Sequence, residues 1–180
     1  MTTYEATASY KVIYVFSIDD PDHKGFLKIG DATLKSPLSK NQLPPCCELL
    51  NEAAEKRIKK YTKTAMTSYE LLYTELAVRT VRLQDETIIE QSFRDKHVHE
   101  VLDRSGFFVR RFNDSGRPSE WYKIDLQIAK SAINAAKEGR TFLSESEKNS
   151  DSNKQGHAVS PKITLRAEQI AAIAKTKKEF

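Results

Sequence analysis

The chain has 180 residues and a mass of 20.5 kDa, enough for one compact domain with an appendage but not for two full domains. Hydrophobic residues make up 39% and charged residues 30%, so part of the chain must lie outside the core, and a formal charge of +4 permits a polyanionic partner without demanding one. The adjacent Cys46 and Cys47 exclude a disulfide scaffold and a structural zinc site, and the absence of a signal-type or membrane-length apolar run predicts a soluble, cytoplasmic protein.

Residues 11 to 18, KVIYVFSI, are β-branched and aromatic, and the polar turn DDPDHKG parts them from the apolar run FLKIG at 26 to 30. This pattern predicts an N-terminal β-hairpin. The next stretch, DATLKSPLSKNQLPPCCELL, carries three prolines and reads as an irregular excursion. Asn51 then caps a helix over NEAAEKRIKKYTK. At about 100° per residue, Leu50, Ala54, Ile58 and Tyr61 form its buried stripe, Arg57 flanks them, and Lys56, Lys59, Lys60 and Lys63 turn away as a solvated face.

YELLYTELAV at 69 to 78 predicts a third strand from its Tyr, Thr and Val content. Asp85 is placed to cap a second long helix over ETIIEQSFRDKHVHEVLD, with Ile89, Phe93, His97 and Val101 recurring on one side. Glu90 falls on that apolar side. A carboxylate there is costly unless it is paired, with Arg94 as the nearest cation, or bound to a metal. FFVRRF at 107 to 112 and EWYKI at 120 to 124 flank NDSGRP and predict a second hairpin or wide loop. DLQIAKSAINAAKEG reads as a helix between Asp125 and Gly139.

The expected organisation is a domain over residues 10–140, a polar linker over 144–162, whose composition cannot order itself, and a helical segment over 163–180. The fold class is α+β: a small three-stranded antiparallel sheet flanked by helices, followed by a flexible linker and a short C-terminal helix.

Val12-Ile13-Tyr14 on the first strand, Lys28-Ile29-Gly30 on the second, Arg57 with Tyr61 one turn later, and Glu90 together resemble the GIY-YIG nuclease superfamily. The resemblance is to the phage-type branch whose second motif reads Lys-Ile-Gly and whose domain ends in a Glu-Trp-aromatic segment, here Glu120-Trp121-Tyr122. It implies a magnesium- or manganese-dependent DNA endonuclease that hydrolyses phosphodiester bonds. Tyr14 and Tyr61 would activate water, Arg57 and Lys28 would bind phosphate, and Glu90 would hold the metal, with Glu86 as second candidate and Asn113 as candidate for the family's late asparagine. The chemistry suits the residue types: a guanidinium grips phosphate oxygens with two parallel bonds, and magnesium needs only one or two carboxylates beside a phosphate. A tyrosine base would make cleavage accelerate as pH rises. Residues 163 to 173 resemble the opening segment of superfamily 2 helicases, which would tie the domain to a helicase module or subunit in restriction or DNA repair. The alternative is a nucleic-acid-binding module on the same fold that positions a helicase without cutting.

Overall fold

The computed structural model describes residues 8–62, 68–82, 84–107, 109–110 and 120–149. Asn113, residues 150–162 of the expected linker and the helicase-like segment 163–180 lie outside the described residues. Strand β1 (Ala8–Ile18) pairs with β2 (Leu27–Ser36) on one side and β3 (Tyr69–Leu76) on the other. Helix α1 (Glu48–Thr62) lies between β2 and β3 in the chain. A ribbon of β4 (Val78–Arg82) and β5 (Ile88–Ser92) follows, then α2 (Asp95–Arg104), the two-residue strands β6 (Val109–Arg110) and β7 (Trp121–Tyr122), α3 (Leu126–Lys137) and α4 (Glu145–Lys148).

The main sheet is antiparallel, in the order β3-β1-β2-β7-β6, and β4-β5 form a separate two-stranded sheet. The α+β class therefore holds at the level of an antiparallel sheet with helices. Where three strands were expected, the three long ones lie side by side and β7 and β6 extend the sheet beyond β2 to five.

Helices cover both faces of β1, which explains why its sequence is a continuous apolar run instead of alternating. Val12, Tyr14 and Phe16 pack with Leu50, Ala54 and Ile58 of α1. Ile13 and Val15 pack on the opposite face with Val98, Val101 and Leu102 of α2 and Ile133 of α3. Asp125 Oδ1 accepts the Ile128 amide at 2.7 Å to cap α3, and Gly139 closes it at φ +73°, both as expected. Among the described residues no helix is long and apolar enough to cross a membrane.

Four local expectations are corrected. β2 does not end at Gly30: Ala32 and Leu34 continue the alternation toward α1, and the strand pairs with β1 as far as Ser36. Helix α1 begins at Glu48, before Asn51, whose side chain instead fastens the preceding loop, donating to the Cys46 carbonyl and accepting from the Thr74 hydroxyl. Residues 88–92 are strand, not helix. Asp85 Oδ1 accepts the Thr87 amide at 3.1 Å, and Glu86 adopts φ +65°, so the aspartate closes a turn where it was expected to cap a helix. The β-branched run Thr87-Ile88-Ile89 then favours pairing with β4. Finally, the first residues of the expected linker form the short helix α4, tied back by Arg140 Nη2 to Glu147 Oε1 at 2.8 Å.

Tyr14 lies directly across from Gly30 in the β1–β2 register. A Cβ at Gly30 would stand 2.5 Å from the Tyr14 hydroxyl and 2.6 Å from its ring carbon. The bare backbone of Gly30 is the seat of a fully buried phenol ring. Gly30→Ala should therefore lower the unfolding free energy by about 1–3 kcal/mol in urea denaturation, the usual cost of overpacking a core. In a Tyr14→Ala background the same change should cost markedly less, because the two positions are in contact.

Candidate functional site

On α1, Ala53, Lys56, Arg57 and Lys60 follow the i, i+3, i+4, i+7 spacing of one helical face. That face fronts β2 at Ala32 and Thr33. From the other side of the sheet comes Lys11 of β1, whose Nζ donates to Thr33 Oγ1 at 2.8 Å, and Arg94 reaches in from the residue before α2. Together they enclose a cavity of about 390 Å³. Among the described residues five cations, Lys11, Lys56, Arg57, Lys60 and Arg94, line it with a single carboxylate, Asp31.

The cavity straddles the outer edge of β2. β7 pairs with that edge only at Leu27 and Lys28, and the Ile29 amide donates to the Glu120 carbonyl at 3.2 Å. Beyond this point no strand pairs with the edge among the described residues. Nε2 of His99 closes part of it by meeting the Ile29 carbonyl at 3.0 Å, with the ring packed on Tyr122 at 5.5 Å between centroids. His97 was expected on the apolar side of its helix; α2 begins at Asp95 rather than near Asp85, and it is His99 that meets the sheet.

Asp31 is the electrostatic centre. Its side chain is 6% exposed, and Arg94 donates to Oδ1 through both Nε, at 3.1 Å, and Nη2, at 3.0 Å. Lys11 Nζ stands 3.4 Å from Oδ2. Burial pushes the Asp31 carboxyl up, but the hydrogen bonds from Arg94, the contact with Asp95 and the charges of Arg94 and Lys11 prevail and hold it below the ordinary carboxylate value. The neighbouring Asp95 moves the other way: burial, then the negative charge of Asp31, raise its pKa. Arg94 itself remains 59% exposed along its side chain.

Of the four expected catalytic residues whose side chains are described, only Arg57 lines this cavity. Tyr14 is buried against Gly30 in the α1-facing core. Lys28 turns to Glu120 at 3.4 Å and lies 5.7 Å over the Trp121 ring. Tyr61 belongs to α1, but its side chain lies outside what is described. Glu90 is on β5, opposite Thr80, half exposed and ion-paired with Lys40. It does not stand on the apolar side of a helix, and its pairing is neither with a metal site nor with Arg94, which belongs to Asp31.

Glu90, the expected magnesium or manganese ligand, pairs with Lys40 and is not among the residues lining the cavity that holds Arg57. Glu90 faces a lysine at the surface, and among the described residues no three carboxylate, imidazole or thiol side chains gather where a cation could be held. Lys56 and Lys60 are corrected in the opposite sense. They were expected to turn from Arg57, yet they share its cavity, because offsets of about 60° and 100° on a helical wheel are spanned by long, flexible stems. The i, i+3, i+4 spacing from Ala53 was the signal for this face, whereas Lys11, Asp31 and Arg94 had no local signal.

Comparison of the chain with known protein families, with curated proteins and with solved structures finds no match.

Glu90→Ala should change the unfolding free energy by less than about 1 kcal/mol, the range of exposed ion pairs, when measured by urea denaturation. A large loss would restore Glu90 as a structural or ligand-holding group.

Proposed function

We propose that the domain binds the phosphate backbone of a nucleic acid in the groove between α1 and the outer edge of β2. One observation carries this reading: five cations against one carboxylate around a single cavity. Such a surplus attracts anions and releases counterions from a polyanion, which is the general source of sequence-independent affinity. Lys56 and Lys60 stand one helical turn apart, about 6 Å along the axis, so α1 presents a row of charge suited to a run of phosphates. Arg57 adds a planar fork that can hold two phosphate oxygens at once.

A second reading, phosphodiester hydrolysis of the GIY-YIG kind, draws on Tyr14 seated on Gly30 one residue along β2 from the groove's Asp31, with Arg57 inside the groove. Glu90, the carboxylate this reading assigns to the metal, is half exposed and paired with Lys40. DNA is the partner that the resemblance implies, and binding to a helicase module is its extension.

Fluorescence anisotropy with labelled DNA and RNA oligonucleotides tests the first reading. Affinity should fall with salt at a log–log slope between about −2 and −4, the value for two to four neutralised phosphates. Arg57→Ala with Lys60→Ala should weaken binding about tenfold or more and make the slope shallower by about one per charge removed. Binding that ignores salt, or a double variant that binds like wild type, refutes the groove. The same preparations incubated with supercoiled plasmid and magnesium or manganese decide the second reading: nicking that is lost in Arg57→Ala supports it, and salt-dependent binding without nicking under either metal leaves the non-cleaving module.

A further inference from the structure

We propose that Asp31 is a built-in anion that sets the affinity of the groove: it occupies Arg94 and Lys11 until a ligand phosphate takes them over, and the Asp31–Asp95 pair then takes up one proton from solvent. This rests on the phosphate-binding reading and adds its regulation.

The geometry shows a phosphate's place already filled. Oδ1 of Asp31 receives two donors of one guanidinium and Oδ2 faces an ammonium, the bonds a phosphate oxygen pair would accept from the same groups. The carboxylate is buried while the arginine arm is mostly exposed, so the arm is the member that can turn to a ligand lying in the cavity. Once it does, Asp31 is left buried beside a second carboxylate with less positive charge to offset it. Two neighbouring negative charges, Asp31 buried and Asp95 half-buried, relieve their repulsion by sharing a proton.

The other groups facing the pair are Lys11 from β1, Arg94 and His99 at α2 and Tyr122 from β7, with Lys56, Arg57 and Lys60 of α1 across the cavity. Of these, His99 carries the one imidazole, and its Nε2 is engaged with the Ile29 carbonyl. The sign follows from linkage. The liganded state binds the extra proton more tightly, so affinity rises as pH falls, through the range where the pair accepts it.

The test is anisotropy with a labelled oligonucleotide at constant ionic strength, at about pH 7.5 and about pH 5.5, on the wild type and on Asp31→Asn, Asp95→Asn and His99→Gln. The wild type should bind more tightly at the lower pH. Asp31→Asn should tighten binding about three- to tenfold at the higher pH, the range expected for releasing one charge-assisted contact, and should flatten the pH response. Asp95→Asn should also flatten it, whereas His99→Gln should keep it. The proposal is overturned if folded Asp31→Asn binds equally or more weakly, if Asp95→Asn keeps the wild-type response, or if His99→Gln removes it. Should Asp31→Asn fail to fold by circular dichroism, the Asp95 and His99 variants decide alone. A wild type that binds no oligonucleotide at low salt overturns the phosphate-binding reading as well, whereas one that binds while the variants contradict these expectations overturns the switch alone.

Discussion

The contact on which the rest of the molecule depends is the Tyr14 ring lying across Gly30. Among the described residues β1 is the only strand flanked on both sides by long partners and covered on both faces by helices, and its central residues are fully buried. A tyrosine there must place a bulky ring between the sheet and α1. It does so because the strand opposite offers backbone without a side chain. That economy of space lets α1 approach β2 closely enough for Ala53 to face Ala32, and it is this approach that brings Lys56, Arg57 and Lys60 to the strand's outer edge. Packing in the core and charge at the surface are thus two ends of one arrangement.

Much of this was legible in the amino-acid pattern, wherever a local rule had no rival. The unbroken apolar run of β1, the turn before β2, the strand at β3 and the capped helix α3 each follow from propensity and periodicity that agree with one another. Failure came where one residue type serves two purposes. Asp85 is as good a turn-former as a helix cap, and the four-residue recurrence from Ile89 was compatible with either, so the β-branched run at 87–89 settled the matter through pairing with β4. Asn51 likewise was read as a cap and instead tethers a loop. The groove was hidden for a different reason: Lys11, Asp31 and Arg94 meet only through strand pairing and the docking of α2, and no spacing in the chain announces contacts across 63 positions.

The energetic character of the groove is set by the imbalance of its charges. A buried carboxylate is costly unless its partners are well placed, and Asp31 has two cations on it. Those two bonds offset its desolvation and also lower the positive potential that the groove presents to solvent. Among the described lining residues, Lys56, Arg57 and Lys60 supply the α1 side, whereas Asp31 lies with Lys11 and Arg94 on the other, so the lining is graded from α1 toward α2. A polyanion entering it meets α1 first in electrostatic terms, and the Arg94 side becomes available at the expense of an existing ion pair.

This gradation bears on how a motif should be weighed. The glycine of Lys-Ile-Gly is required by the tyrosine of the first strand for reasons of packing alone, whatever chemistry either residue performs. Arg57, by contrast, is neither core nor cap, and it stands in a cavity whose other walls are also cationic. The spacing that resembles the GIY-YIG pattern is thus accounted for in two parts, one by the geometry of a tightly packed hairpin and one by positive charge beside it. The part that would distinguish cutting from holding, a carboxylate set against Arg57, falls on β5 in the chain's expected position and is spent on Lys40. What the fold does assemble at that edge is a cationic groove with its own internal counter-anion.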